Sequence, residues 1–114
     1  NPVWLYADSP LFDMLSPRTL PVSQKVGAQL LSGVKGDTTG CGDNFAGGVL
    51  ASLIMQKSQG TTSFSLLEAC CWGIVSGGFA CFHYGGTYFE RCPGEKFQLL
   101  RPYYEEYQQQ LIGF

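Results

Sequence analysis

Residues 37–48 read D-T-T-G-C-G-D-N-F-A-G-G, and a long apolar run follows them. Gly40 and Gly42 let the backbone turn tightly and approach a ligand closely. The turn leads into a helix start, where unpaired N–H groups and the positive end of the helix dipole form an anion site. Asp43 places a carboxylate there, in position to take a proton from an attacking hydroxyl. The segment predicts phosphoryl transfer; the alternative is a glycine-rich helix entry with an ordinary capping Asp.

The segment resembles the C-terminal signature of the ribokinase-like (PfkB) family of sugar and nucleoside kinases, D-T-x-G-A-G-D followed by a helix written x-F-x-G-G. Asn44–Gly48 continues the match, and Cys41 stands where the family usually has Ala. Family kinases are considerably longer and carry this signature towards their C-terminal end. The resemblance therefore implies that residues 1–114 are the C-terminal part of such a kinase domain.

The resemblance also implies a fold class, the C-terminal portion of a three-layer α/β/α sandwich with a mostly parallel central sheet. This portion should hold mainly helices with a few short strands. Its helices would pack against a sheet that is largely missing. We therefore expect association, either with the rest of the kinase chain or with a second copy as a homo-oligomer.

Composition supports an apolar contact face and argues against two partner classes. Charged residues make up 14% of the chain, against about 25% in typical soluble domains, which predicts an apolar face that a partner covers. The net charge of −2 and the scattered Lys and Arg residues argue against nucleic acid. The longest apolar stretch, residues 69–82, is too short to cross a membrane and predicts a buried helix instead.

The five cysteines, at positions 41, 70, 71, 81 and 92, show no paired spacing, and His83 is the single histidine. This pattern predicts neither a zinc site nor a disulfide framework. We expect reduced, mostly buried thiols in a cytoplasmic protein.

Local patterns predict five elements. Val3–Tyr6 and Val26–Leu31 read as short strands. Residues 42–57 carry two apolar rows at four-residue spacing, which predicts a buried helix with a wide apolar face. A second helix over residues 66–82 begins at a capping box formed by Ser65-Leu66-Leu67-Glu68. Pro102 reads as the first residue of a terminal helix through residue 110.

The resemblance assigns roles around the turn. Asp43 would be the general base, and the backbone N–H groups of Gly40, Cys41, Gly42 and Asp43 would stabilise charge on the phosphoryl oxygens. Asp37 and Thr39 match positions that help bind an activating monovalent cation, potassium, in many family members. The alternative for Asp37 is a turn-forming role after glycine.

Gly73 and Ile74 fall where the family has the polar residue that flanks adenine, so they are the candidate cofactor-binding pair on the second helix. Core packing is the alternative for both. The glycine pair Gly47-Gly48 has two interpretations, close approach of a phosphate or strand, and close helix packing.

The implied reaction transfers a phosphoryl group from ATP to a sugar or nucleoside hydroxyl with the help of Mg²⁺. The family's N-x-x-E motif, which works with magnesium, lies upstream of the signature and has no match here. We therefore expect the chain to be inactive by itself, and the sequence does not specify the substrate. The alternative function is a non-catalytic kinase-like binding or assembly module.

Overall fold

The computed structural model describes residues 2–33, 36–86 and 88–112. The described chain is a mixed α/β fold, mostly helical, with one two-stranded sheet. In chain order the elements are β1 (Val3–Ala7), β2 (Leu15–Leu20), α1 (Gln24–Leu31), α2 (Cys41–Ser58), α3 (Leu66–Ala80) and α4 (Glu95–Ile112).

The strand predicted at Val3–Tyr6 is present as β1, and it pairs antiparallel with β2. Val3 lies opposite Leu20 in the register. Pro17 lies inside β2, which is possible because an edge strand leaves its outer N–H positions unpaired. Leu20 is fully buried and packs in a small apolar cluster with Leu5 and Cys70 of α3, so the sheet is attached to the helices through that cluster.

Helix α3 lies at the centre of the described structure, which confirms the buried helix predicted from the apolar stretch. Ten of its fifteen residues are buried. Trp72 stacks on Tyr104 of α4 with ring centroids 3.8 Å apart and an interplanar angle of 6°. Tyr107 of α4 is also fully buried in this cluster, so the aromatic face of the last helix packs in the core as predicted.

The start of α3 is capped as predicted, but only half of the capping box forms. The Ser65 hydroxyl accepts a hydrogen bond from the Glu68 N–H at 3.1 Å. The Ser65 N–H does not use the Glu68 carboxylate; it donates to Gln56 Oε1 of α2 at 2.8 Å. Gln56 Nε2 also donates to the Ser65 carbonyl at 3.1 Å. The buried Gln56 side chain therefore ties α2 to the first turn of α3.

The prediction of a strand at Val26–Leu31 is wrong, because these residues belong to helix α1. The Ser23 hydroxyl accepts a hydrogen bond from the Val26 N–H at 3.2 Å and caps the helix. Val26 is buried against Gly78 of α3. A short apolar run fits either element, and the polar cap with this one buried contact favours the helix.

The predicted start of the last helix is also wrong. Helix α4 begins at Glu95 and carries Pro102 in its interior. Proline in a helix interior removes one backbone hydrogen bond. The buried residues Leu100, Tyr104 and Tyr107 lie on both sides of Pro102, so burial of one continuous apolar face offsets that loss. The turn at Pro93-Gly94 before α4 is present.

Helix α2 differs from the buried helix that its apolar rows predict. Its buried residues are Asn44, Ser52 and Gln56, whereas Leu50 and Ile54 are 60% and 67% exposed. Among the described residues, no element covers the outer side of α2. One apolar row therefore faces solvent in this chain, and the other row is only partly buried.

The described helices include none that combines the length and the apolarity needed to cross a bilayer.

Candidate functional site

The turn before α2 depends on a glycine at position 40. Gly40 has φ +79°, a left-handed conformation that costs a residue with a side chain about 1–2 kcal/mol. A Cβ atom at this position would lie 2.1 Å from the carbonyl oxygen of Gly86. Gly40 is therefore required both by its backbone conformation and by the close approach of the turn at Gly85-Gly86, where both residues also have positive φ.

The chain leading into this turn is held against the end of α3. The Gly36 N–H donates to the Cys81 carbonyl at 2.8 Å, and the Asp37 N–H donates to the His83 carbonyl at 3.2 Å. A Cβ atom on Gly36 would lie 2.2 Å from the backbone of His83. The end of α3 thus fixes the position of the whole signature turn.

Backbone donors gather at the start of α2. The Cys41 N–H donates to Thr38 O at 3.3 Å, and the Asn44 N–H donates to Gly40 O at 2.8 Å. Within residues 36–86 and the other described ranges, the N–H groups of Gly40, Gly42 and Asp43 have no protein acceptor. Three of the four predicted anion-hole donors are therefore open to a ligand, and the fourth makes one long turn bond.

Asp43 lies in the first turn of α2, and its side chain is exposed. A carboxylate in the first turn interacts favourably with the helix dipole. No side chain within the described ranges forms a hydrogen bond or ion pair with this carboxylate. Asp43 can therefore reach a substrate hydroxyl in front of the turn.

Asn44 joins three segments at this point, a role that sequence reasoning missed. Its buried side-chain amide donates to the carbonyls of Gly40 at 2.8 Å and Gly86 at 2.6 Å. Its oxygen accepts a hydrogen bond from Lys96 Nζ of α4 at 2.7 Å. Burial lowers the pKa of the Lys96 amine, and the charge of Glu90 opposes this shift. The only sequence signal was the position of Asn44 directly after Asp43.

The structure also brings two cysteines together. Cys41, the first residue of α2, lies with its Sγ 2.8 Å from the Sγ of Cys81, the residue after α3. The two positions are 40 residues apart. Sequence spacing gave no signal for this contact, because it depends on how α2 and α3 pack.

Asp37 forms the turn that was the alternative to a cation-binding role. Its Oδ1 accepts a hydrogen bond from the Thr39 N–H at 3.0 Å. The nearby carbonyls of Cys81 and His83 already accept bonds from Gly36 and Asp37. The described residues contain no cluster of three or more His, Cys, Asp or Glu side chains that could hold a metal ion. Potassium binding at Asp37 and Thr39 stays a prediction.

Gly73 and Ile74 lie in helix packing. A Cβ atom on the buried Gly73 would be 2.7 Å from Val49 Cγ2 and 2.8 Å from the Phe45 carbonyl oxygen, both on α2. Ile74 is partly buried against both apolar clusters. Neither residue presents an open surface for a flat ring, so nucleotide contact at these positions stays a prediction without geometric support.

The glycine pair in α2 divides between the two interpretations. Gly48 is packed closely on α3, since its Cβ would lie 2.8 Å from the Trp72 carbonyl oxygen, whereas Gly47 is exposed with open space beside it. Next to the pair is a mainly apolar cavity of about 170 Å³, which Lys96 and Phe97 also line. None of the residues 37–43 lines that cavity, so it is separate from the anion turn.

A scan against protein-family models, a search of curated proteins and a search of solved structures each found no match to this chain. The case for a function therefore depends on residues 37–48 and on the contacts that surround them.

Proposed function

We propose that this chain is the C-terminal, catalytic part of an ATP-dependent kinase of the ribokinase-like (PfkB) type that phosphorylates a sugar or nucleoside hydroxyl. One observation carries the proposal. The signature turn presents three N–H groups without protein acceptors, at Gly40, Gly42 and Asp43, and it places the Asp43 carboxylate beside them. Donors and a base at one helix start are the two parts that phosphoryl transfer requires of a protein.

In this reaction the substrate hydroxyl oxygen attacks the γ-phosphorus of ATP, and ADP leaves. Asp43 orients the hydroxyl and accepts its proton, which increases the nucleophilicity of the oxygen. The open N–H groups of the turn stabilise negative charge on the transferred phosphoryl oxygens. Because the end of α3 and the Gly86 carbonyl hold the turn in place, these donors need little reorganisation during the reaction.

The cofactor proposals rest on the resemblance. Magnesium would be positioned by an upstream N-x-x-E motif, which residues 1–114 do not contain. Potassium would bind at Asp37 and Thr39 behind the turn. The structure supplies the Asp37 carboxylate and the carbonyls of Cys81 and His83 on that side, which is part of the oxygen set that such an ion needs.

The parent fold would be a three-layer α/β/α sandwich in a cytoplasmic protein. The exposed Leu50 and Ile54, one helical turn apart on α2, support this proposal. In a sandwich they would pack on a sheet that belongs to the rest of the kinase or to a second copy.

A second candidate is a kinase-like binding or assembly module that keeps the anion turn without catalysis. One observation favours it, because Gly73 and Ile74, the positions expected to flank adenine, are occupied by helix packing. Such a module would bind phosphate groups at Gly40–Asp43 but would not transfer them.

Substitution of Asp43 by Asn distinguishes the two functions. The test uses the protein that joins this segment to an upstream part with N-x-x-E, and we expect Asp43→Asn to lower kcat about a hundredfold to ten-thousandfold. The substrate KM should stay nearly unchanged, since the loss occurs in the transition state. The isolated 114 residues should release no sugar-dependent ADP.

Glu105→Gln is the matched control, because it removes one exposed carboxylate from α4 and should leave kcat unchanged. Near-normal turnover in Asp43→Asn would show that Asp43 is not the base and that the proposed mechanism is wrong.

A further inference from the structure

Cys41 and Cys81 form a thiol pair across the α2–α3 contact. Their Sγ atoms are 2.8 Å apart, which is less than the roughly 3.5–4.0 Å at which nonbonded carbon atoms pack. The Cys81 Sγ also donates to the Gly77 carbonyl at 3.7 Å. Both residues are partly exposed, so a small oxidant can reach the pair.

We propose that Cys41 and Cys81 are a modification site, at which a peroxide-class oxidant forms a reversible disulfide that fastens the signature turn to the end of α3. A disulfide needs its sulfur atoms about 2.05 Å apart, so closing the bond requires the two side chains to approach by less than 1 Å from their observed separation.

Two alternatives explain the pair less well. A tetrahedral zinc site has Zn–S bonds of about 2.3 Å, which separates its sulfur ligands by roughly 3.8 Å. That separation is larger than the observed one, and the described residues offer no third His, Cys, Asp or Glu ligand in a cluster. Simple packing of two small thiols remains as the competing explanation, and it predicts no cross-link.

The chemistry balances with hydrogen peroxide as the oxidant. One thiolate attacks a peroxide oxygen, the O–O bond breaks, and the sulfur becomes a sulfenic acid while the first water leaves. The second thiolate attacks that sulfur, the S–S bond forms, and the S–O bond breaks to release the second water. The two thiols together lose two hydrogens and two electrons, and the peroxide is reduced to two waters.

The surroundings of Cys41 affect the rate. Burial, the hydrogen bond to Cys81 and the charges of Cys81 and Asp37 raise the pKa of the Cys41 thiol to about 11. Because the thiolate is the reactive form, the cross-link should form slowly at neutral pH. Oxidation at about pH 8.5 shortens the experiment.

The experiment treats the 114-residue chain with hydrogen peroxide and measures intact mass and cross-linked peptides. We expect a loss of two hydrogen atoms, a Cys41–Cys81 peptide pair, and full reversal by a dithiol reductant. The result should be the same in Cys92→Ser, which removes the exposed thiol and with it intermolecular cross-linking. Cys81→Ser should abolish the mass loss.

A second readout does not require a variant. Closing a loop of 40 residues should raise the Tm of the oxidised wild-type chain by about 10 °C or more over the reduced chain. Mass gain by oxygen addition without a Cys41–Cys81 peptide, or a cross-link between other cysteines, would overturn the proposal. These readouts do not involve phosphate or ATP, so the result is independent of the proposed kinase function.

Discussion

At the residue scale, the site depends most on Asn44, a side chain that performs no chemistry in the proposed reaction. Its amide bridges the carbonyls of Gly40 and Gly86, and its oxygen accepts from Lys96. The anion turn, the glycine turn after α3 and the first turn of α4 therefore meet at one buried side chain. Asn44 holds the donors of the turn in position, whereas Asp43 in front of it stays exposed.

Replacement of Asn44 by Ala should lower the free energy of unfolding by about 2 kcal/mol. The Gly86 carbonyl loses its donor and the half-buried Lys96 amine loses its acceptor, and buried polar groups without partners cost about 1–3 kcal/mol. Chemical denaturation measures the change.

Gln98→Ala is the control, because Gln98 is exposed on α4 and its side chain has no hydrogen-bond partner among the described residues. It should change stability by less than about 0.5 kcal/mol. Equal effects of the two substitutions would contradict the bridging role of Asn44.

At the scale of elements, α2 and α3 approach closely because glycines line their contact. Gly48 of α2 faces the Trp72 carbonyl, and Gly73 of α3 faces Phe45 and Val49. Gly77 lies opposite the Cys41 carbonyl, where an added Cβ would be 2.9 Å away. This close contact places the start of α2 against the end of α3, which in turn fixes the signature turn.

Gly73→Ala should therefore destabilise the chain, by about 1–2 kcal/mol, since the added methyl meets a backbone carbonyl and overpacking exceeds the gain in helix propensity. Gly47→Ala on α2 is the matched control, because its new Cβ has open space, and it should stabilise by up to about 1 kcal/mol. Thermal unfolding of both variants measures the difference. A stabilised Gly73→Ala protein would mean that α2 and α3 pack less closely than described.

The start of α4 predicts a pH dependence. Glu95 accepts hydrogen bonds from the Arg91 guanidinium and backbone and from the Tyr88 hydroxyl, which lowers the pKa of its carboxyl from 4.5 to about 2. A carboxyl whose pKa is lower in the folded state contributes stability above its unfolded pKa and loses it as pH falls. The contribution is complete above about pH 4.5 and disappears towards pH 2.

The Tm difference between wild type and Glu95→Gln should consequently be largest near neutral pH and shrink to nothing near pH 2. Glu105→Gln removes an exposed carboxylate from the same helix and should show a small difference at every pH. A Glu95→Gln difference that stays constant from neutral pH to pH 2 would rule out the ion pair as its source.

At the scale of the whole molecule, local signals predicted what local interactions determine. The Ser65 cap, the buried α3 and the glycine turn at position 40 are encoded within a few residues of themselves, and the structure has all three. Helix α4 was predicted too short, because Pro102 is a strong start signal that burial of Leu100 before it overrides.

Contacts between distant segments were not predictable from this one sequence. The Cys41–Cys81 pair and the Lys96–Asn44 bond join positions 40 and 52 residues apart, and no periodicity reports them. The apolar rows of α2 predicted burial, but Leu50 and Ile54 are exposed. The pattern identified a face suited to packing but could not identify which segment covers it.

The central claim is that the turn at Gly40–Asp43 binds the transferred phosphate, and NMR titration of the ¹⁵N-labelled chain with inorganic phosphate tests it most directly. We expect saturable, weak shifts of the amide signals of Gly40, Gly42 and Asp43, and none from chloride at equal ionic strength. The start of α3 is an internal control, because Ser65 already accepts from its Glu68 N–H, and it should not respond. Phosphate-induced shifts confined to other parts of the chain would contradict the claim.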